Sequence, residues 1–500
     1  MNYIIPLVIF TPLMMSLFIM SPLFSDDEKI IRRTAKGFSI FHFTLMILLT
    51  AFFNFSQSEF TIKTSYKWIE VLGINANFEF DSLSLLLTVL TSFIFLLSVF
   101  ISKNMIKRSY RLYYSLIFVL QSAVTGVFGA GDLFLFFLFW ELELIPMYLL
   151  LLKWGSGNKQ KTAMKFLLYT FFGSIFIIAG FLLLYYWNFI SNGILSSDFN
   201  NINTIFIPDG IKALIFVLLF IGFGIKLPVV PLHSWLPVVH TQAATPVSII
   251  LSSILLKMGA YGILRFNLQM LETVYEILAP FIMLLAAISI IYAGFCAINQ
   301  KDIKRIIAYS GIAHMGIFLL GISSLNETGI TGGIFQLFSH ALISAGLFTI
   351  AGIIYVKCGT KNLLKLQGLG EKMPRLMLIS IPVIFAGMGI PLLTGFVAEF
   401  LSFTGAFLFQ SEGIINTKLI TLIALSSVIF CSVYMLKFFH GLFFGEITKR
   451  LNKTSDINIP QFAALAVIAL YLIIFGIFPS ILTNTISIYS TVTYNIAGVF

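Results

Sequence analysis

Of the 500 residues, 58% are hydrophobic and only 10% charged, with a mean hydropathy of +0.98, whereas a soluble domain carries roughly 25% charge. Apolar runs near 20 residues recur along the whole length and leave no room for a soluble domain, and the net charge of +10 reflects basic loops beside apolar helices rather than a nucleic-acid partner. Three cysteines, Cys296, Cys358 and Cys431, none within a CxxC spacing, cannot hold an iron–sulfur cluster, a structural zinc or a disulfide framework.

Cutting the apolar runs at charged or Gly/Pro/Asn-rich stretches predicts an all-α polytopic membrane protein of about fourteen transmembrane helices. They fall at 3–21, 37–55, 83–101, 112–130, 132–153, 164–188, 211–240, 245–266, 276–297, 303–323, 331–356, 376–411, 418–444 and 461–487. The first run lacks a charged n-region and a small-residue cleavage site, which suits a retained helix. Loops after odd-numbered helices carry 23 Lys and Arg, those after even-numbered helices five, and three more (Lys226, Lys257, Lys437) lie in no loop. This asymmetry predicts both termini on the outer face.

An intramembrane charge costs roughly 2.5–3.5 kcal/mol on insertion scales. Four such groups stand out: Glu141 in FLFWELELIPMYLL, Lys226 in IGFGIKLPVV, Lys257 in ILSSILLKMGAYG and Glu399 in LLTGFVAEFLSF. Their signs cancel, so pairing is expected, with Glu141 facing Lys226. One reading is a set of ion pairs pinning helices together; the other is a relay of titratable groups, for which Lys suits better than Arg. Glu143, two residues from Glu141, points to nearly the opposite face of a continuous helix and is expected to be structural or peripheral. His233 and His240, seven residues apart, would share a helix face between the two lysines. They also read as metal ligands, but no third ligand lies at a fixed local spacing, and no metal is expected. His314 and His340 are further relay candidates or simple packing residues.

Two segments carry the chemistry of a broken helix. GIKLPVVPLHSWLPVVHTQAATP concentrates Pro228, Pro231, Pro237 and Pro246 beside Lys226, and IPVIFAGMGIPLLTGFVAE places Pro382, Gly387, Gly389, Pro391 and Gly395 ahead of Glu399. These interruptions fall in helices 7 and 12. A five-helix repeat inverts its topology on repeating, and paired breaks in corresponding positions point to a transport pathway. The implied organisation is an N-terminal group of helices 1–3 (1–111), inverted repeats of helices 4–8 (112–267) and 9–13 (268–444), and a C-terminal loop with helix 14 (445–500). GMGIPL lacks the third glycine and the strand–turn–helix setting of a dinucleotide fingerprint.

The motifs FEFDSLSLLLTVLT at Phe78, FWELELIPMYLLLLKWG at Phe139, KLPVVPLHSWLPVVHTQAATPVS at Lys226, LLKMGAYGILR at Leu255, NQKDIKRIIAYSGIAHMG at Asn299 and GFVAEFL at Gly395 carry a resemblance. Along nearly its whole length the chain resembles the antiporter-like membrane subunits of proton-pumping NADH:quinone oxidoreductase, respiratory complex I. The resemblance implies a proton path through the helix 5 Glu, the helix 7 and 8 Lys and a helix 12 ionisable group, which map onto Glu141, Lys226, Lys257 and Glu399. A Glu on helix 12 points to the M branch, the bacterial equivalent of mitochondrial chain 4, since the N and L branches typically carry Lys there. It further implies a bacterial plasma (inner) membrane, neighbouring antiporter-like chains L and N, and no cofactor in this chain, with flavin, iron–sulfur clusters and quinone in partner subunits. Protons would move laterally from Lys226 near His233 and His240 to Lys257, then near His314 or His340 to Glu399. The alternative is a subunit of a multisubunit cation/proton antiporter.

Overall fold

The apolar runs fold as helices because in lipid every backbone polar group has to be satisfied within the chain. The computed structural model describes residues 3–52, 62–409, 415–447, 451–452 and 454–497. The first helices are α1 (Ile4–Met20) and α2 (Glu28–Phe52), followed by the strands β1 (Ile62–Ile69) and β2 (Ile74–Phe80). Next come α3 (Ser82–Ile101), α4 (Tyr110–Gly129), α5 (Leu133–Leu142), α6 (Leu144–Trp154), α7 (Lys159–Asn192), α8 (Asp209–Lys226), α9 (Leu236–Gln242), α10 (Thr245–Ile250) and α11 (Leu256–Gly262). The series continues with α12 (Glu272–Ile298), α13 (Ile303–Ile322), α14 (Glu327–Cys358), the short α15 (Leu369–Lys372), α16 (Pro374–Gly387), α17 (Thr394–Leu408), α18 (Thr417–Leu425), α19 (Ser427–Phe443), α20 (Ile459–Ile477) and α21 (Ser480–Ala497). Among the described residues, eleven helical segments are long and apolar enough to cross a membrane, and Ile4–Met20, Pro374–Gly387 and Thr394–Leu408 are shorter apolar helices. Lys449, Arg450 and Lys453, counted above as basic loop residues, lie outside the described residues, as do the predicted helix ends at 53–55 and 410–411.

Three expectations are corrected. The chain is not all-α: β1 and β2 form an antiparallel hairpin, in register from Ile62 opposite Phe80 to Lys67 opposite Asn75, with a shift of register before Ile69 opposite Ile74. Alternating Ile62, Thr64, Tyr66 and Trp68 supply the period-two pattern of a strand. The predicted helix at 461–487 divides into α20 and α21 at Pro479, which lacks an N–H and holds the preceding residue out of helical geometry. The predicted helix at 245–266 is not uniform, because π-helical turns occupy Leu251–Leu255 and Ile263–Met270 on either side of α11.

The chain divides into two compact units, Met1–Leu227 with Ile254–Ile277, and Pro228–Ser253 with Leu278–Phe500. In the first, α4 packs on α1 and α8 on α7 around an aromatic core in which Phe266 lies 5.0 Å from Phe136 and 5.6 Å from Phe223, ring centre to ring centre. In the second, α14 is buried along most of its length and is flanked by α13 and α17. Large exposed side chains on α7 and α18, such as Phe171, Phe172, Leu419 and Leu422, are apolar, as a lipid-facing surface requires.

Candidate functional site

In the first unit the site begins where α8 ends. Pro228 and Pro231 cannot continue a helix, so the chain turns after Lys226, and Lys226 is left 1% exposed at the helix terminus. Its ammonium donates to the carboxylate of Glu143, itself fully buried, and stands 5.4 Å from the centre of the Trp140 ring and 5.7 Å from that of Phe166. The expected Glu141 contact is therefore corrected: Glu143 is the residue touching Lys226. Pro146 offers no N–H to the Leu142 carbonyl, and the helical hydrogen bonding lapses at Glu143, the junction of α5 and α6, although the backbone there stays helical at φ −72° and ψ −24°. The two carboxylates therefore keep nearly opposite faces, and the face turned to the end of α8 is the one that carries Glu143. Glu141 acts on Lys226 through its field, and its buried Oε1 accepts no hydrogen bond among the described residues.

Lys257 lies fully buried in α11. The glycine two residues on brings α11 against the end of α8: a Cβ on Gly259 would lie 2.8 Å from Leu227 N and Phe223 O and 3.1 Å from Lys226 Cβ. The two lysines thus sit on segments in backbone contact. One turn beyond Lys257, the Tyr261 hydroxyl donates to Phe128 O (3.2 Å) and accepts from Arg265 Nε (3.1 Å), and Arg265 pairs with Asp81. Asp81 caps α3, accepting from Ser84 N at 2.8 Å while Asp81 N donates to Ser84 Oγ. Burial pushes the Asp81 carboxyl up, but Arg265 and Ser84 together hold it below its ordinary value.

In the second unit, the stretch between α16 and α17 runs through turns at Gly389, left-handed at φ +71°, and at Pro391. A Cβ on Gly389 would lie 2.6 Å from Glu399 Oε2, so the break and the carboxylate are in contact. Glu399 is buried, its Oε1 3.8 Å from His314 Nε2. The His314 and His340 rings meet edge-on with centres 5.4 Å apart. Cys431 Sγ is 3.9 Å from His314 Nε2 and 2.9 Å from the Tyr434 hydroxyl. His240 stacks on Phe348 at 4.6 Å and His233 lies 5.0 Å from Tyr292. The expected shared helix face for His233 and His240 is corrected, because His233 falls in the turn before α9 and only His240 is helical.

The structure thus brings Lys226, Glu143 and the Lys257 segment together in one unit and Glu399, His314 and His340 together in the other. Two residues escaped the sequence reading. Glu143 looked peripheral. Lys304 looked like a loop residue, yet it lies in the first turn of α13, 1% exposed, and donates to Ala243 O at 2.8 Å. Its signal was Asp302, whose side chain accepts from Lys304 N and Arg305 N and so caps α13; Lys304 then shares a face with Ala308 and Gly311, small residues that permit close packing.

Buried ionisable groups at interrupted membrane helices define a multi-span helical membrane protein of the ion-translocating kind. The family model described as NADH:quinone oxidoreductase/Mrp antiporter, TM, matches residues 130–429, and the chain belongs to that family. It is 35% identical over 491 residues to NADH-quinone oxidoreductase subunit M of Rickettsia typhi, covering 96% of both chains. It is also 35% identical over 483 residues to NAD(P)H-quinone oxidoreductase chain 4 3 of Trichormus variabilis, covering 95% of this chain and 88% of the relative. Its fold is similar to that of a chain of respiratory complex I from Thermus thermophilus with bound NADH (TM-score 0.87, 23% identity, 98% and 99% covered). The Mrp complex from Dietzia sp. contains a similar fold (TM-score 0.86, 18% identity, 99% and 98% covered).

Proposed function

We propose that the chain translocates protons as an M-type membrane-arm subunit of an NADH:quinone oxidoreductase, driven by redox chemistry in partner subunits that hold the flavin, iron–sulfur clusters and quinone. The observation that carries this reading is the buried Lys226–Glu143 pair at a helix end, in contact with the segment bearing Lys257. Apolar packing would stabilise the unit at least as well as a buried ion pair, so charge placed there suits transfer better than stability. Lys226, Lys257 and Glu399 are the exchanging groups in this reading, with Glu141 and Glu143 setting the field at Lys226 and His233, His240, His314 and His340 as relays. Protons pass laterally along this series, each step needing heavy atoms about 2.6–3.2 Å apart or one intervening water. His314 and Glu399, at 3.8 Å, are spaced for a small rearrangement or a water.

The same reading takes fourteen membrane helices, with helices 4–8 and 9–13 as inverted repeats, both termini outside a bacterial plasma membrane, and chains of the L and N branches as neighbours. Cysteines engineered into 157–162 and 194–204 should then label from opposite sides. The test of the path compares Glu399→Gln with Glu399→Lys in the assembled complex: Gln, which cannot titrate, should abolish pumping, and full pumping by that variant removes helix 12 from the path. The second reading, a subunit of a multisubunit cation/proton antiporter, is favoured by the family description, which spans both kinds. Copurification with flavin and iron–sulfur subunits separates the two.

A further inference from the structure

The second unit also carries a pocket of about 620 Å³ that the proton path does not use, lined among others by Lys301, Asp302, Arg305, Tyr355, Lys361 and Asn362. It forms where α12 ends, α13 begins and α14 ends, so three membrane helices terminate at its level, on the side to which the loop count assigns most of the chain's lysines and arginines. Its walls are stitched together by backbone hydrogen bonds, Ile303 N to Lys361 O at 3.0 Å and Leu363 N to Lys301 O at 2.8 Å. Lys437 fastens the turn beneath by donating to Gln300 O at 3.2 Å.

The charge is one-sided. Three cations face one carboxylate, and that carboxylate is engaged as a helix cap: Asp302 Oδ1 accepts from Lys304 N at 2.9 Å and from Arg305 N at 3.2 Å. Arg305 Nε is shut off from solvent and donates no hydrogen bond among the described residues. Lys361 is held in place by the Tyr355 ring, 4.7 Å from its centre, and by Thr241 O at 2.5 Å. The last turns of α12 and α14 expose Phe295, Tyr355 and Val356, the apolar and aromatic surface of a membrane interface. An arginine fork and two lysines recognise a tetrahedral oxyanion, and basic pockets between membrane helices on the basic-rich side take anionic head groups.

We infer that this pocket binds an anionic phosphate group, supplied by the head group of an anionic phospholipid or by free phosphate. The full chain in detergent micelles is titrated with phosphatidylglycerol, with zwitterionic phosphatidylcholine and with inorganic phosphate, and binding is read by native mass spectrometry and calorimetry. Lys301→Gln and Arg305→Gln should each weaken phosphatidylglycerol binding about fivefold, from the roughly 1 kcal/mol that each Lys or Arg near a membrane surface contributes. Lys67→Gln, on the hairpin with its side chain 80% exposed, should change nothing. Binding of phosphatidylglycerol alone, weakened in the pocket variants, identifies the lipid as the source; equal binding of inorganic phosphate, weakened in the same variants, identifies free phosphate. Phosphatidylglycerol binding that is unweakened in both pocket variants, or that falls as far with Lys67→Gln, overturns the inference. Because Lys301 is exposed, its variant keeps the test valid if Arg305→Gln fails to fold.

Discussion

Replacing Glu143 by Gln keeps the volume of the side chain and removes its charge, leaving Lys226 as a buried ammonium without its contact partner. Both side chains are 2% exposed or less, so screening by solvent is slight, and removing one partner of such a pair costs about 3–5 kcal/mol. The Trp140 and Phe166 rings, 5.4 and 5.7 Å from the ammonium, face it in wild type and variant alike and leave that cost unchanged. The penalty on charged Lys226 is then the full cost of about 3–5 kcal/mol, or roughly a hundredfold to a few thousandfold in its population at about 1.4 kcal/mol per decade. Proton pumping by the assembled complex in proteoliposomes should fall at least tenfold. Glu141→Gln breaks no contact to Lys226 and should cost less. The double variant Glu143→Gln, Lys226→Gln should recover stability, since replacing both partners of a buried pair is close to neutral, yet remain inactive in pumping. Wild-type pumping by Glu143→Gln together with complete loss in Glu141→Gln would refute the assignment of Glu143 as counter-ion.

Gly389→Ala forces a side chain into left-handed geometry, at about 1–2 kcal/mol, and drives a methyl toward Glu399 Oε2 at 2.6 Å; pumping should drop while the protein still inserts, as membrane fractionation and proteoliposome assays would show. Gly259→Ala overpacks the α8–α11 contact and should destabilise by about 1–3 kcal/mol in a thermal melt of the purified chain. Asp81→Asn strips Arg265 of its partner, and with side chains 17–18% exposed the loss should be about 1–3 kcal/mol, below that of a fully buried pair. Because Arg265 and Ser84 outweigh burial and hold Asp81 below its ordinary value, its stabilisation is fully present above the unfolded carboxylate value of about 3.9. That contribution disappears as pH falls through the depressed folded value, so wild type and Asp81→Asn melting temperatures should converge only in strong acid.

The helix breaks were legible because proline and glycine act locally: Pro228 and Pro231 end α8 at Lys226, and Gly389 and Pro391 separate α16 from α17. What was not legible depends on tertiary packing and on local turns. A wheel through 132–153 puts Glu141 and Glu143 on nearly opposite faces, but which face meets Lys226 is decided by how α8 packs against it. His233 was placed on a helix face although the same prolines that mark the break leave it in the turn. Lys304 sits among Lys301 and Arg305 in a run that reads as loop, and only the cap formed by Asp302 shifts it into the first turn of α13. The hairpin was passed over because Lys63 and Lys67 interrupt its apolar character while preserving its alternation. The π turns beside α11 have no period that an apolar pattern of this density can display.

The most direct test of proton translocation through this chain is the number of protons moved per NADH oxidised by the assembled complex carrying Lys226→Gln, measured in proteoliposomes beside wild type. The substitution removes a titratable group but leaves the partner subunits and their redox centres untouched. Lys226→Gln should lower the proton yield, or lower pumping and oxidation in proportion, with the complex intact on a native gel. An intact complex that keeps the wild-type proton yield at the wild-type rate would exclude Lys226 from the path.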